Sequence, residues 1–188
     1  MKQFNNEKSF TLVEILVSIF IIILLSGIIF ANYRQSGQQF ALQRSANKLA
    51  QDIRRAQQMA MSASEYQGEV PAGGYGIYAE ANPNPPYEQE YILFGNRDAD
   101  DHQYNAGSDY LIETISVEKG VTIADIKLDG VSKSKIHISF IPPDPQVWIV
   151  PPEGGGGSSE GQIILALITD FSKTKTVKVN SAGLIEIQ

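Results

Sequence analysis

Residues 10–31 read FTLVEILVSIFIIILLSGIIFA, a stretch of 22 in which Glu14 is the sole ionisable side chain. A helix rises about 1.5 Å per residue, so this stretch reaches roughly 33 Å, enough to cross the hydrocarbon core of a bilayer. A cleaved secretory signal has an apolar stretch of only about 7 to 15 residues followed by a small-x-small cleavage site, and neither feature is present. The pattern therefore predicts one membrane-spanning helix over residues 10–33. Lys2 and Lys8 on one side face Arg34, Arg44 and Lys48 on the other. All lie within the range counted by the positive-inside rule, so composition alone leaves the orientation open.

A carboxylate near the start of a membrane helix is costly unless partnered. Thr11-Leu12-Val13-Glu14 fits a capping box, with Thr11 as N-cap and Glu14 as N3, and Phe10 and Ile15 occupy hydrophobic-staple positions. Two readings of Glu14 stand side by side: it caps its own helix at the interface, or it pairs inside the membrane with a cation from another chain.

Lys8-Ser9-Phe10-Thr11-Leu12-Val13-Glu14, followed at once by an apolar helix, resembles the class III signal of type IV prepilins and type II secretion pseudopilins. The resemblance covers about the first 60 residues. It implies cleavage between Ser9 and Phe10 by a prepilin peptidase on the cytoplasmic side, then N-methylation of Phe10. Residues 1–9 would be the leader peptide. Glu14 then falls at the fifth mature position, where the family's glutamate meets the N-terminal amine of a neighbouring subunit during assembly. The implied setting is the bacterial inner membrane, N-terminus cytoplasmic, and then an extracytoplasmic filament. The implied partners are other pilin or pseudopilin subunits, the peptidase and the inner-membrane assembly platform. Two positions depart from the pattern. Ser9 stands where the family usually has Gly, and Ala31 stands where major pilins commonly carry a helix-bending proline, which suits a pseudopilin or minor pilin.

From Ser36 to Ser62 the apolar positions Leu42, Ala46, Leu49, Ile53, Ala56 and Ala60 recur at spacings of four and three, with Gln, Arg and Lys opposite. This predicts an amphipathic continuation of the helix over 34–64 with one buried face, packed onto its own domain, a coiled coil with a partner being the competing reading. No proline interrupts residues 10–62, so a helix of roughly 80 Å is allowed, with Ser26-Gly27 and Ser36-Gly37 as candidate bends.

Beyond Ser64 the period becomes two. Ile136, Ile138 and Phe140 alternate with His137 and Ser139, and Val177 and Val179 with Thr176, Lys178 and Asn180, as half-buried strands do. His137 is expected to point outward without a catalytic role. Tyr91–Phe94 and Ile163–Ile168 are unbroken apolar runs of strand length, expected to be central or buried on both faces. Asp129-Gly130 predicts a hairpin joining 121–128 to 131–141, and Asn180–Gly183 a turn before a last strand over 184–187. Pro142-Pro143-Asp144-Pro145 and the stretch 151–161 are read as turns or loop. The fold class is thus α+β: a long N-terminal helix on an antiparallel β-domain, 65–188, of seven or eight strands arranged as a sandwich or pair of sheets. The order of elements is similar to GspH/FimT-type minor pseudopilins and minor pilins.

The whole chain has 188 residues, no cysteine, two histidines and a net charge of −6. A disulfide scaffold, a thiolate nucleophile and every cysteine-based metal site are excluded. The acidic balance argues against general affinity for nucleic acid. Charge is nevertheless segregated: residues 34–64 carry +4, and residues 65–118 carry −10, with Arg97 their one base. Such opposed segments are read either as two solvated faces or as surfaces that dock on each other, within a subunit or between neighbours.

Asn96–Asp109 holds four aspartates. With Asp98 as position 1 of a calcium loop, Asp100 falls at 3, His102 at 5, Tyr104 at 7 and Asp109 at 12. Asp98, Asp100 and Asp109 are therefore candidate Ca²⁺ ligands. His102 is a poor ligand, Gln103 replaces the turn glycine, and Asp101 could substitute through a local distortion, so a solvated acidic loop is the competing reading. An enzyme is not expected. Gly73-Gly74-Tyr75-Gly76 lacks the rest of a dinucleotide fingerprint, and the glycine run 154–157 is not followed by Lys-Ser/Thr. Some FimT-type pilins capture DNA through a C-terminal Gly-Arg-x-Arg. The aligned stretch is Gly183-Leu184-Ile185-Glu186, both arginines gone, with Lys173, Lys175 and Lys178 the nearby cations. A structural subunit is the expected function, with a DNA-binding minor pilin or a calcium-binding tip module as the alternatives.

Overall fold

A computed structural model describes residues 10–84, 89–142, 146–151 and 156–188, with the backbone alone for 30–36. The chain divides into two compact units, 1–37 and 38–188. One helix, α1, is assigned over Leu12–Met61, running through both glycines proposed as bends. In the first unit it begins where Thr11 Oγ1 accepts the Glu14 N–H at 3.2 Å. This is the N-cap bond expected of that Thr.

In the second unit every residue of the anticipated stripe is buried: Leu42, Ala46, Leu49, Ile53, Ala56 and Ala60, joined by Ala41 and Ala50. The small alanines in that stripe let the helix backbone come close to what it covers. Among the described residues ten strands follow, more than the seven or eight expected: β1 (Tyr75–Glu80), β2 (Glu90–Gly95), β3 (Tyr110–Ser116), β4 (Val121–Leu128), β5 (Val131–Lys133), β6 (Lys135–Ile141), β7 (Gln146–Val150), β8 (Glu160–Leu167), β9 (Asp170–Asn180) and β10 (Ile185–Ile187). They form two five-stranded sheets, β3-β2-β1-β6-β7 and β10-β9-β8-β4-β5, and every pairing is antiparallel. Both sheets and the helix stripe contribute to one hydrophobic core, which is the α+β architecture the patterns called for.

The Asp129-Gly130 turn is present, both residues at positive φ (49° and 82°), as a two-residue hairpin of matching twist requires. The chain beyond this turn departs from the expected hairpin. Residues 131–141 are not one strand. Val131–Lys133 pairs with β4, then the chain crosses at Ser134 to the other sheet, where β6 pairs with β1. The apolar alternation begins only at Ile136, so Lys133-Ser134-Lys135 has nothing to bury and serves as the crossover. Tyr91–Phe94 lies in β2 and Ile163–Leu167 in β8, the latter held between β9 and β4 as a central strand. Residues 143–145 and 152–155 lie outside the described residues; of the stretch read as loop, 156–159 are neither helix nor strand, but Glu160 and Gly161 already pair with β9 in β8, where the missing side chain of Gly161 leaves room for Ile136 and Ile149.

Gly73-Gly74-Tyr75-Gly76 is a packing device. A Cβ on Gly74 (φ 78°) would meet the Phe140 carbonyl oxygen at 1.9 Å, and one on Gly76 the Ile138 oxygen at 2.4 Å. Glycine alone lets β1 approach β6 this closely.

Candidate functional site

Three places bear on function: the start of α1, the acidic loop, and the C-terminal strand pair. At the first, Phe10 is 75% exposed and immediately precedes the N-cap. Ser9 lies outside the described residues. The Ile15 N–H donates to the Thr11 carbonyl (3.2 Å), and Ser18 Oγ donates to the Glu14 carbonyl (2.7 Å). Among the described residues the Glu14 carboxylate accepts no hydrogen bond from the Thr11 N–H, so half of the capping box forms. Leu12–Ile29 is long and apolar enough to cross a membrane, and none of it is buried within the chain. Water could not tolerate so many large apolar side chains left uncovered; lipid or other apolar helices would cover them.

Residues 4–30 match the family model of the Prokaryotic N-terminal methylation motif. No curated protein and no solved structure matches the chain. The methylation motif is a type IV prepilin-like leader, and the exposed apolar helix within the matched residues fits membrane anchoring of a pilin-like or pseudopilin subunit.

The acidic loop is tied to the sheet through its middle, residues 102–104, while Asp98 and Asp100 stay exposed to solvent. Tyr104 N–H donates to His137 Nδ1 (2.8 Å), Ser139 Oγ donates to the His102 carbonyl (3.0 Å), and the His102 ring stacks on Trp148 with centroids 4.0 Å apart. His137 and Ser139, expected to face outward, are therefore buried beneath this loop. Burial holds the His137 imidazole well below its ordinary value, to about 4, against an opposing pull from Asp101. Two of the candidate calcium ligands, Asp98 and Asp109, are turned to the loop's own amides. Asp98 Oδ1 accepts from Asp100 N (3.0 Å), Asp109 Oδ1 from Arg97 N (3.2 Å), and Asp109 Oδ2 from Asn105 N (2.6 Å). Among the described residues no three acidic or histidine side chains are grouped to hold a metal.

The segregated charge meets within the subunit. Arg44 makes a two-pronged bond to Glu118 (2.6 and 2.5 Å), and Arg55 pairs with Glu113 at 2.6 Å. Both join the basic helix to the acidic segment. The hydrogen bond from Arg44 is the chief reason that the Glu118 carboxyl lies below the usual range. At the C-terminus, Gln57 Nε2 donates to the Gly183 carbonyl (3.3 Å) and Arg54 Nη2 to the Ile185 carbonyl (3.0 Å). Arg54 of the helix is thus committed to holding the C-terminal strand, and Lys178 pairs with Glu160 (3.7 Å).

Proposed function

We propose that this chain is a structural minor pilin or pseudopilin of the GspH/FimT type, cleaved between Ser9 and Phe10, N-methylated at Phe10, and assembled through its N-terminal helix after residence in the bacterial inner membrane with its leader in the cytoplasm. It acts by packing and carries neither catalysis nor a cofactor. The observation that supports this reading is the uncovered apolar helix Leu12–Ile29 within the methylation motif, with a single acid, Glu14, whose carboxylate makes no bond to its own cap among the described residues.

The physical logic is an exchange of environments. In the bilayer the helix is solvated by lipid, and Glu14 remains near the interface. Leaving the bilayer exposes apolar surface at roughly 25 cal/mol per Å² unless sister helices rebury it. Among those helices the carboxylate is tolerated only if it meets a cation, and the free amine of a processed neighbour's Phe10 supplies one.

Glu14→Ala should leave membrane insertion intact and reduce incorporation into filaments at least about tenfold, the order expected when a pair worth about 1.4 kcal/mol or more is lost in a low-dielectric site. Membrane fractionation and immunoblotting of sheared filaments separate the two effects; normal incorporation of the variant would refute the assigned role. Intact mass spectrometry of native protein should show the loss of residues 1–9 and the gain of one methyl group.

A further inference from the structure

On the outer face of the β1/β6 sheet, Tyr78, Gln103, Tyr104, Ala106, Lys135 and His137 line a cleft of about 410 Å³, within the size range of small-ligand sites. We infer that this cleft binds a neutral pyranose sugar. This goes beyond the assembly role and does not depend on it.

His137 is only 4% exposed, and its Nδ1 accepts the Tyr104 N–H. That bond places the ring proton on Nε2. No acceptor for this second N–H is found among the described residues, yet Nε2 is not sealed from solvent. A buried imidazole with a committed tautomer thus offers one donor to the cleft it lines. The Gln103 side-chain amide is likewise without a partner among the described residues. Beside these polar groups stand aromatic rings: Tyr78 and Tyr104 with centroids 5.5 Å apart, Tyr78 and His137 at 5.0 Å, and Phe94 supporting Tyr104 from behind at 5.3 Å.

Charge selects the ligand class. Lys135 is the one cation in the lining, and Glu80 already engages it at 3.4 Å while accepting from the Tyr78 hydroxyl at 3.0 Å. Asp101 acts electrostatically on His137. An anion would meet Glu80 and Asp101 with no surplus positive charge. A wholly apolar ligand would strand the His137 and Gln103 donors. A pyranose answers both demands, because its C–H face suits the electron-rich ring faces and its hydroxyl rim satisfies the donors and the ion pair.

The test uses the full chain in dodecylphosphocholine micelles, which carry no sugar headgroup. Saturation-transfer NMR is run with methyl β-D-glucopyranoside, methyl β-D-galactopyranoside and N-acetyl-D-glucosamine at about 10 mM, above the millimolar dissociation constants expected of so open a cleft. Transfer to the ring C–H protons of at least one sugar is expected, weakened roughly tenfold in Tyr104→Ala and severalfold in Gln103→Ala. Gln103 is partly exposed, so its variant decides the matter if Tyr104→Ala melts early. Absence of transfer to all three sugars overturns the proposal, as does transfer that survives both substitutions. Tighter binding of glucuronate than of the neutral sugars overturns the assigned class.

Discussion

At the scale of single residues, His137 sets a pH dependence. The unfolded chain takes up its proton near 6.5 and the folded chain only near 4. Between those values the unfolded state holds more protons, so stability is full above about 6.5 and falls as the pH drops, by about 3 kcal/mol once pH 4 is passed. Glu118 works in the same direction in a lower window: its depressed carboxyl contributes stability above its ordinary 4.5 and loses it on further acidification. Thermal melts of the wild type from pH 7 to 4.5 should therefore show a falling midpoint, and His137→Gln should flatten that fall. A parallel curve for the variant would refute the assignment. A second residue-scale expectation concerns Tyr91, whose hydroxyl donates to Asp52 Oδ2 at 2.6 Å inside the core; Lys48 reaches the same oxygen from 3.4 Å. Burial and that carboxylate raise the Tyr91 hydroxyl far above its ordinary value, so it donates at every accessible pH. Tyr91→Phe should cost about 1 to 2 kcal/mol in denaturant titrations, because Asp52 loses its better-placed donor while staying largely buried.

Among the secondary-structure elements, the helix stripe was legible because its period, 3.6, is local. Its burial makes a quantitative claim: Ile53, wholly buried, when cut to Ala should cost about 3 kcal/mol through lost transfer energy and a cavity, measured by urea unfolding. The β1/β6 contact depends on backbone approach instead. Gly74→Ala would drive a Cβ into the Phe140 carbonyl at a positive φ, and a loss exceeding about 3 kcal/mol is expected from the same titration. Strand identity was harder to read. The alternation of 136–140 correctly marked β6, but the Asp129-Gly130 turn suggested a simple hairpin where the chain changes sheets at Ser134. Turn chemistry specifies the two residues that reverse the chain, whereas the length of the returning strand depends on which sheet has an open place for it.

For the molecule as a whole, every core member from Ala41 to Ile185 lies within 38–188, while 12–29 buries nothing. A fragment of 38–188 should therefore fold without detergent and melt in a single cooperative transition by circular dichroism; an unfolded or aggregated fragment would contradict that division of labour. Opposed charge along the chain was visible as a tally, but only the fold resolved it into Arg44–Glu118 and Arg55–Glu113, contacts across 74 and 58 residues.

The amino-acid order by itself settled the apolar helix, its single acid, the stripe behind it and the antiparallel character of the rest, because each is a short-range periodicity that backbone geometry converts directly into a face. The covering of His137 by a loop more than thirty residues away, the use of Arg54 to hold the C-terminal strand, and the cleft that Tyr78 and Tyr104 help to line were decided by tertiary structure. No local pattern encodes which distant segment will remove water from a given side chain, and that removal determines whether a histidine is a solvated base or a neutral donor.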